Sequence, residues 1–143
     1  MVPTRTVLLK RVYDEPASSD GIRVLVDRLW PRGLTKQVAR IDAWLRDLAP
    51  SIELRKWFHA NPEQWQAFRQ KYLTELKTAA AAAAIEKLYE LLEQEQTVSL
   101  VFASKKTEQN NATVLKEFVE GIKKPPKGTG EGSRAQIRKR ARR

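Results

Sequence analysis

The chain has 143 residues and a formal charge of +10, and its 41% hydrophobic content, with four Trp, four Phe and three Tyr, is enough for one core of ordinary size. No run approaches the roughly 20 apolar residues that cross a bilayer, and MVPTRTVLLK lacks a secretory signal's basic-then-apolar pattern, so a cytoplasmic protein with no membrane partner is expected. The absence of cysteine removes disulfides, thiolate nucleophiles and cysteine-held zinc, while the single histidine, His59, leaves room for a triad but not for a multi-histidine metal site, so neither metal nor cofactor is expected.

TVLLKRV at 6–12 is rich in branched residues and runs into the turn-forming YDEPASSDG, which predicts a first strand. IRVLVD at 22–27 predicts a second. Ile22, Val24 and Val26 share one face by period two, and Leu25 makes the other face apolar as well, as in a strand covered on both sides. The connection between these strands, about nine residues, is short for a parallel crossover, so the pair is either antiparallel or not adjacent. After Pro31 and Gly33 the pattern becomes helical, with Thr35 and Asp42 as caps for short segments carrying Val38, Ile41, Trp44, Leu45 and Leu48.

Ser51 caps a helix IELRKWF, and NPEQW is expected to start another, with Asn61 as cap and Pro62 in the first helical position. Trp65, Phe68, Tyr72 and Leu76 follow at spacings of three and four, a core-facing stripe. TAAAAAA at 78–84 reads as a helix seam or a joint between helices, with Ile85, Leu88, Leu91 and Leu92 resuming the apolar face beyond it. VSLVFA at 98–103 predicts a further strand. EQNNATVLKEFVEGI, entered through Thr107, predicts a last amphipathic helix with Ala112, Leu115, Val119 and Ile122 on one side.

Charge divides sharply along the chain. Residues 1–122 hold 18 Lys or Arg against 16 Asp or Glu, whereas residues 123–143 hold nine against one, so the excess belongs to the tail. Its sequence, KKPPKGTGEGSRAQIRKRARR, has Ile137 as its one large apolar residue, too little to offset the entropy of ordering it, and it reads as a disordered basic arm. The expected organisation is an α/β domain at 1–122, three layers with a short, mostly parallel sheet flanked by helices, followed by that arm.

Ligands of parallel α/β sheets bind beyond the carboxyl ends of the strands, where two loops qualify. Asp27, Arg28, Trp30 and Arg32 follow the second strand; Ser104, Lys105 and Lys106 follow the strand at 98–103 and lead to Asn110 and Asn111. Arg28, Arg32, Ser104, Lys105, Asn110 and Asn111 are candidate ligand-binding residues, and Asp27 is the one well-placed carboxylate, able to orient an arginine or act as a catalytic base. Tyr13 and Asp14, after the first strand, are outer candidates. Each also has a purely structural reading: Asp27 with an arginine as an ion pair that locks the loop, the lysines as a solvated run, the asparagines as a helix cap, and His59 as a helix-end residue.

LLKRVYDEP, DGIRVLVDRLWPRGL, LRKWFHANPEQWQAF and VSLVFASKKTEQNNATVLKEF together resemble the YeaO-like family, part of domain-of-unknown-function family 488, over about residues 6 to 120. The resemblance implies a cytoplasmic, compact α/β fold and no established activity. The wider family's aspartate–arginine–proline element resembles Asp27, Arg28, Pro31 and Arg32, while its cysteine–histidine–arginine element falls where this chain has Gln109, Asn110 and Asn111. YeaO-like relatives also carry histidines where this chain has Gln109 and Ala60, which removes those imidazoles from any mechanism here.

Three functions are open from these residues, the plainest being a domain that binds another protein; the other two have named residues. One is a site for a small anionic ligand (nucleotide, phosphate or carboxylate) at the strand ends, with turnover left open. The other is a nucleic-acid accessory role in which Arg138, Lys139, Arg140, Arg142 and Arg143 of the arm bind phosphates without sequence preference. Oligomeric state is not legible.

Overall fold

In the computed structural model the described residues are 6–121; the predicted arm at 123–143, with Arg138, Lys139, Arg140, Arg142 and Arg143, lies outside them. Branched residues form β1 (Thr6–Arg11), and β2 (Ile22–Leu25) follows a 3-10 turn at Ser18–Asp20. Helix α1 (Lys36–Ala39) is held by Thr35, whose Oγ1 accepts from the Val38 N–H at 3.1 Å, and leads to β3 (Ala43–Trp44). Then come a 3-10 turn at Arg46–Leu48, helices α2 (Ile52–Ala60), α3 (Trp65–Glu75) and α4 (Ala79–Gln94), β4 (Thr97–Phe102) and α5 (Asn111–Gly121). No helix among the described residues is long and apolar enough to cross a membrane.

The sheet has four parallel strands in the order β1-β4-β2-β3, so the expected three-layer α/β domain with a parallel sheet is the observed fold. The short connection after β1 is explained by the non-adjacent alternative: β4 lies between β1 and β2, and the Ser18–Asp20 turn is pinned to it by Ser99 Oγ donating to the Asp20 carbonyl at 2.7 Å. Gly21, next in the chain, has φ 67°, and a Cβ there would stand 2.1 Å from the Thr97 carbonyl oxygen. Only glycine permits so close an approach.

Period two along the central strands sorts the two faces. Val24, Val26, Val98, Leu100 and Phe102 join the larger core with Leu48, Phe68, Tyr72, Ile85, Leu88, Leu92 and Leu115, beneath α2 to α5. Leu25 and Val101 face the smaller core with Val12 and Ala39, roofed by Trp30, Leu34 and Trp44. The alanine string is the opening of α4, where Ala81 is buried.

Three local expectations are corrected. Asp42 caps no helix: its Oδ2 accepts from the Arg23 N–H at 2.8 Å and its own N–H donates to the Arg23 carbonyl at 2.8 Å, so the residues after it continue as β3 beside β2. Asn61 closes α2 by donating from Nδ2 to the Trp57 carbonyl at 2.9 Å, and α3 starts only at Trp65. Thr107 does not enter a helix either. Residues 107–110 are bends, and α5 begins at Asn111 with Asn110 Oδ1 accepting from the Thr113 N–H at 3.0 Å.

Candidate functional site

Because β2 and β4 are adjacent and parallel, the loops that leave them lie at the same end of the sheet. They border a cleft of about 670 Å³, within the roughly 300–1,000 Å³ usual for small-ligand sites. The first loop contributes Asp27, Arg28, Trp30, Pro31 and Arg32, and the second Ser104, Lys105, Lys106, Asn110 and Asn111, so the residues singled out from the sequence line one cavity. Tyr13 lines it as well, donating from its hydroxyl to the Arg32 carbonyl at 2.8 Å beneath the Arg11 guanidinium, whereas Asp14 is not part of the lining.

Asp27 is the joint between the two loops. Its Oδ2 accepts from the Ala103 N–H at 2.9 Å and its Oδ1 from Asn111 Nδ2 at 3.1 Å, while the same amide donates to the Val26 carbonyl at 3.1 Å. Burial raises its carboxyl above the ordinary 3.8, opposed by the two N–H donors and by the charge of Arg55. The expected aspartate–arginine ion pair is not how the loop is locked. Arg28 turns instead to the carbonyls of Ala49 at 3.2 Å and Pro50 at 3.3 Å, with Asp47 at 3.8 Å, and ties the loop to the start of α2. Arg32 is exposed. The corner itself is made by the tryptophans: Trp30 Nε1 donates to the Leu34 carbonyl at 2.7 Å and Trp44 Nε1 to the Asp27 carbonyl at 2.8 Å, with their rings edge-on at 5.5 Å.

The second loop is also internally bonded. Ser104 Oγ accepts from the Lys106 N–H at 3.0 Å, and its carbonyl accepts from Arg11 Nε at 3.1 Å. Asn110 is buried, with Nδ2 donating to the Lys106 carbonyl at 2.6 Å, so its amide is occupied by capping and loop closure. Lys105 and Lys106 are exposed along the rim.

A third wall comes from α2 and α3. Arg55, Phe58 and His59 of α2 line the cleft with Pro62 and, from α3, Phe68. Spacings of three and one put Arg55, Phe58 and His59 on one face of α2, with Pro62 in the turn that follows it, a pattern visible in the sequence, but nothing local says that this face folds over the strand ends. Phe58 stacks on Phe68 at 4.3 Å and 17°. Among the described residues no cluster of His, Cys, Asp or Glu could hold a metal ion, and Asp27 is the carboxylate of the cleft lining against Arg28, Arg32, Arg55, Lys105 and Lys106. The charge of the lining is therefore predominantly positive.

Comparison with known proteins gives the family. Residues 6–136 match DUF488-N3i, the inactive DUF488-N3 subclade. The uncharacterized protein YeaO of Escherichia coli K12 is 41% identical over 113 residues, covering 79% of this chain and 96% of YeaO. Uncharacterized protein Rv3073c of Mycobacterium tuberculosis H37Rv is 39% identical over 121 residues, covering 85% of this chain and 99% of the relative, and Mb3100c of Mycobacterium bovis matches to the same extent. No solved structure matches. On this similarity, carried by almost the full length of each relative, the chain belongs to the YeaO-like DUF488 family, in its inactive DUF488-N3 subclade.

Proposed function

We propose that the cleft binds a small anionic ligand and does not turn it over. The observation that carries this reading is the convergence of Arg28, Arg32, Arg55, Lys105 and Lys106 on one cavity whose lining holds Asp27 as its carboxylate. Arg32, Arg55, Lys105 and Lys106 are exposed and have no ion-pair partner among the described residues, so they are available to a ligand, while Arg28 adds its charge from a fixed position. Absence of turnover is supported by two facts: the chain has no thiol, and the subclade is described as inactive.

Titration of the full chain with inorganic phosphate at about 50 mM salt tests the reading, since exposed charges are screened within roughly 10 Å at 0.1 M. Replacing Arg32 and Lys105 together by glutamine is expected to weaken binding about tenfold or more, two charge-assisted contacts being lost. Equal affinity in the double variant would remove the cleft as the anion site.

A further inference from the structure

The cleft holds more than a bare anion needs. One phosphate would occupy only a small part of the about 670 Å³ available. The α2 wall adds an aromatic surface, Phe58 with Pro50 and Pro62 and backed by Phe68, beside the polar Arg55 and His59. Phe58 is only half-buried although Phe68 stacks on it at 4.3 Å and Trp65 lies tilted beside it at 6.0 Å, and both Phe58 and Phe68 line the cavity. An aromatic surface beside a cationic one suits a ligand with a π-face and a phosphate. Asp27 adds a third element. A carboxylate has about four lone-pair sites, and Ala103 and Asn111 use one each, so acceptor capacity remains for an N–H of the ligand.

Resting on the anion reading, we infer that the ligand is a nucleotide, with its phosphate among Arg32, Lys105 and Lys106, its base against Phe58, and an N–H of the base or a sugar hydroxyl facing Asp27. Free nucleotides and the 5′-phosphorylated end of a single strand share this chemistry.

Calorimetric titration of the full chain compares adenosine 5′-monophosphate with ribose 5-phosphate, which carries the same phosphate without a base. The basic arm attracts both equally, so their ratio reports on the cleft. Binding of the nucleotide on the order of tenfold tighter is expected from stacking. Phe58→Leu keeps the apolar bulk and removes the π-face, and should abolish the preference while leaving ribose 5-phosphate affinity within about twofold. Equal affinities in the unmodified chain overturn the nucleotide inference and leave the anion reading standing; binding of neither overturns both. A preference that survives in folded Phe58→Leu also overturns the inference, because the base then rests elsewhere. Should that variant fail to fold, the unmodified pair still decides. Competition by a 5′-phosphorylated dinucleotide shows that the site also admits strand ends, and lack of competition confines it to free nucleotides.

Discussion

Asp20 is buried with Arg23 at 2.6 Å and Lys10 at 3.2 Å, whereas Asp27 meets only uncharged N–H donors directly. Arg23 also donates to the carbonyls of Ala39 and Arg40, at the end of α1 where Arg40 takes a left-handed backbone. Burial, the largest influence on Asp20, raises its carboxyl, but the Ala17 N–H, Arg23 and Lys10 together bring it below 3.8; for Asp27 burial prevails and the carboxyl lies above 3.8. Linkage then gives opposite signs. Stability contributed by Asp20 is complete above pH 3.8 and is lost as pH falls through its lowered folded value. The Asp27 contribution is greatest below pH 3.8 and declines as pH rises through its raised folded value. Urea midpoints between pH 3 and 7 should show both trends, and Asp27→Asn should abolish the second while keeping the first. Asp20→Asn leaves Arg23 buried without its counter-charge and is expected to cost about 3 kcal/mol at pH 7, read from the same denaturation curves. At this scale the sequence announced Asp27 through its place after an apolar strand. Asp20 and Arg23 looked like ordinary turn and strand residues, because their pairing depends on where α1 ends.

Elements whose boundaries rest on local signals were legible: the branched strands β1, β2 and β4, the caps Thr35 and Ser51, and the apolar stripe of α3. Those whose boundaries depend on distant partners were not. The strand β3 is two residues long and exists because Asp42 and Leu45 bond to the β2 backbone, which no window of sequence reveals. Asn61 and Pro62 have the chemistry of a helix start, yet the amide of Asn61 is drawn back to Trp57. Gly21 is the element boundary with the sharpest consequence. Gly21→Ala would set a methyl 2.1 Å from the Thr97 carbonyl in a backbone with φ 67°, so β4 must shift where it pairs with β2. A loss of about 3 kcal/mol or more is expected, seen as a fall of roughly 10 °C in Tm. An unchanged Tm would mean that Gly21 does not need its conformational freedom against Thr97.

Over the whole molecule, the charge partition sets up a test of the nucleic-acid alternative. The buried residues named for both cores lie between Val7 and Val119, and residues 123–143 carry nine Lys or Arg against one Glu. Deleting 123–143 should leave Tm within about 2 °C while flattening the salt dependence of duplex binding, which otherwise steepens by a log–log slope of about −0.9 for each phosphate neutralised. Unchanged affinity would move phosphate binding onto the domain. The parallel three-layer fold was legible from alternating strands and helices, and so was the pairing of two loops as one rim. The strand order and the α2 wall of the cleft were not, because both are set by which elements pack together across the chain.

The position of β4 has a consequence for how the molecule comes into being. It is the strand between β1 and β2, yet the bonds that seat it span 93 positions from Arg11 to Ser104, 79 from Asp20 to Ser99 and 76 from Asp27 to Ala103. During synthesis, then, the amino-terminal strands emerge first and wait beside an empty slot, and helices α2 to α4 have only half a platform to dock on. Closure must be a late, cooperative event in which one arriving segment joins the two halves of the sheet and assembles the cleft in the same step. Such long-range pairing makes for slow folding. A nascent chain stalled before residue 97 would therefore expose strand edges and apolar helix faces together, which makes it a natural client for chaperones.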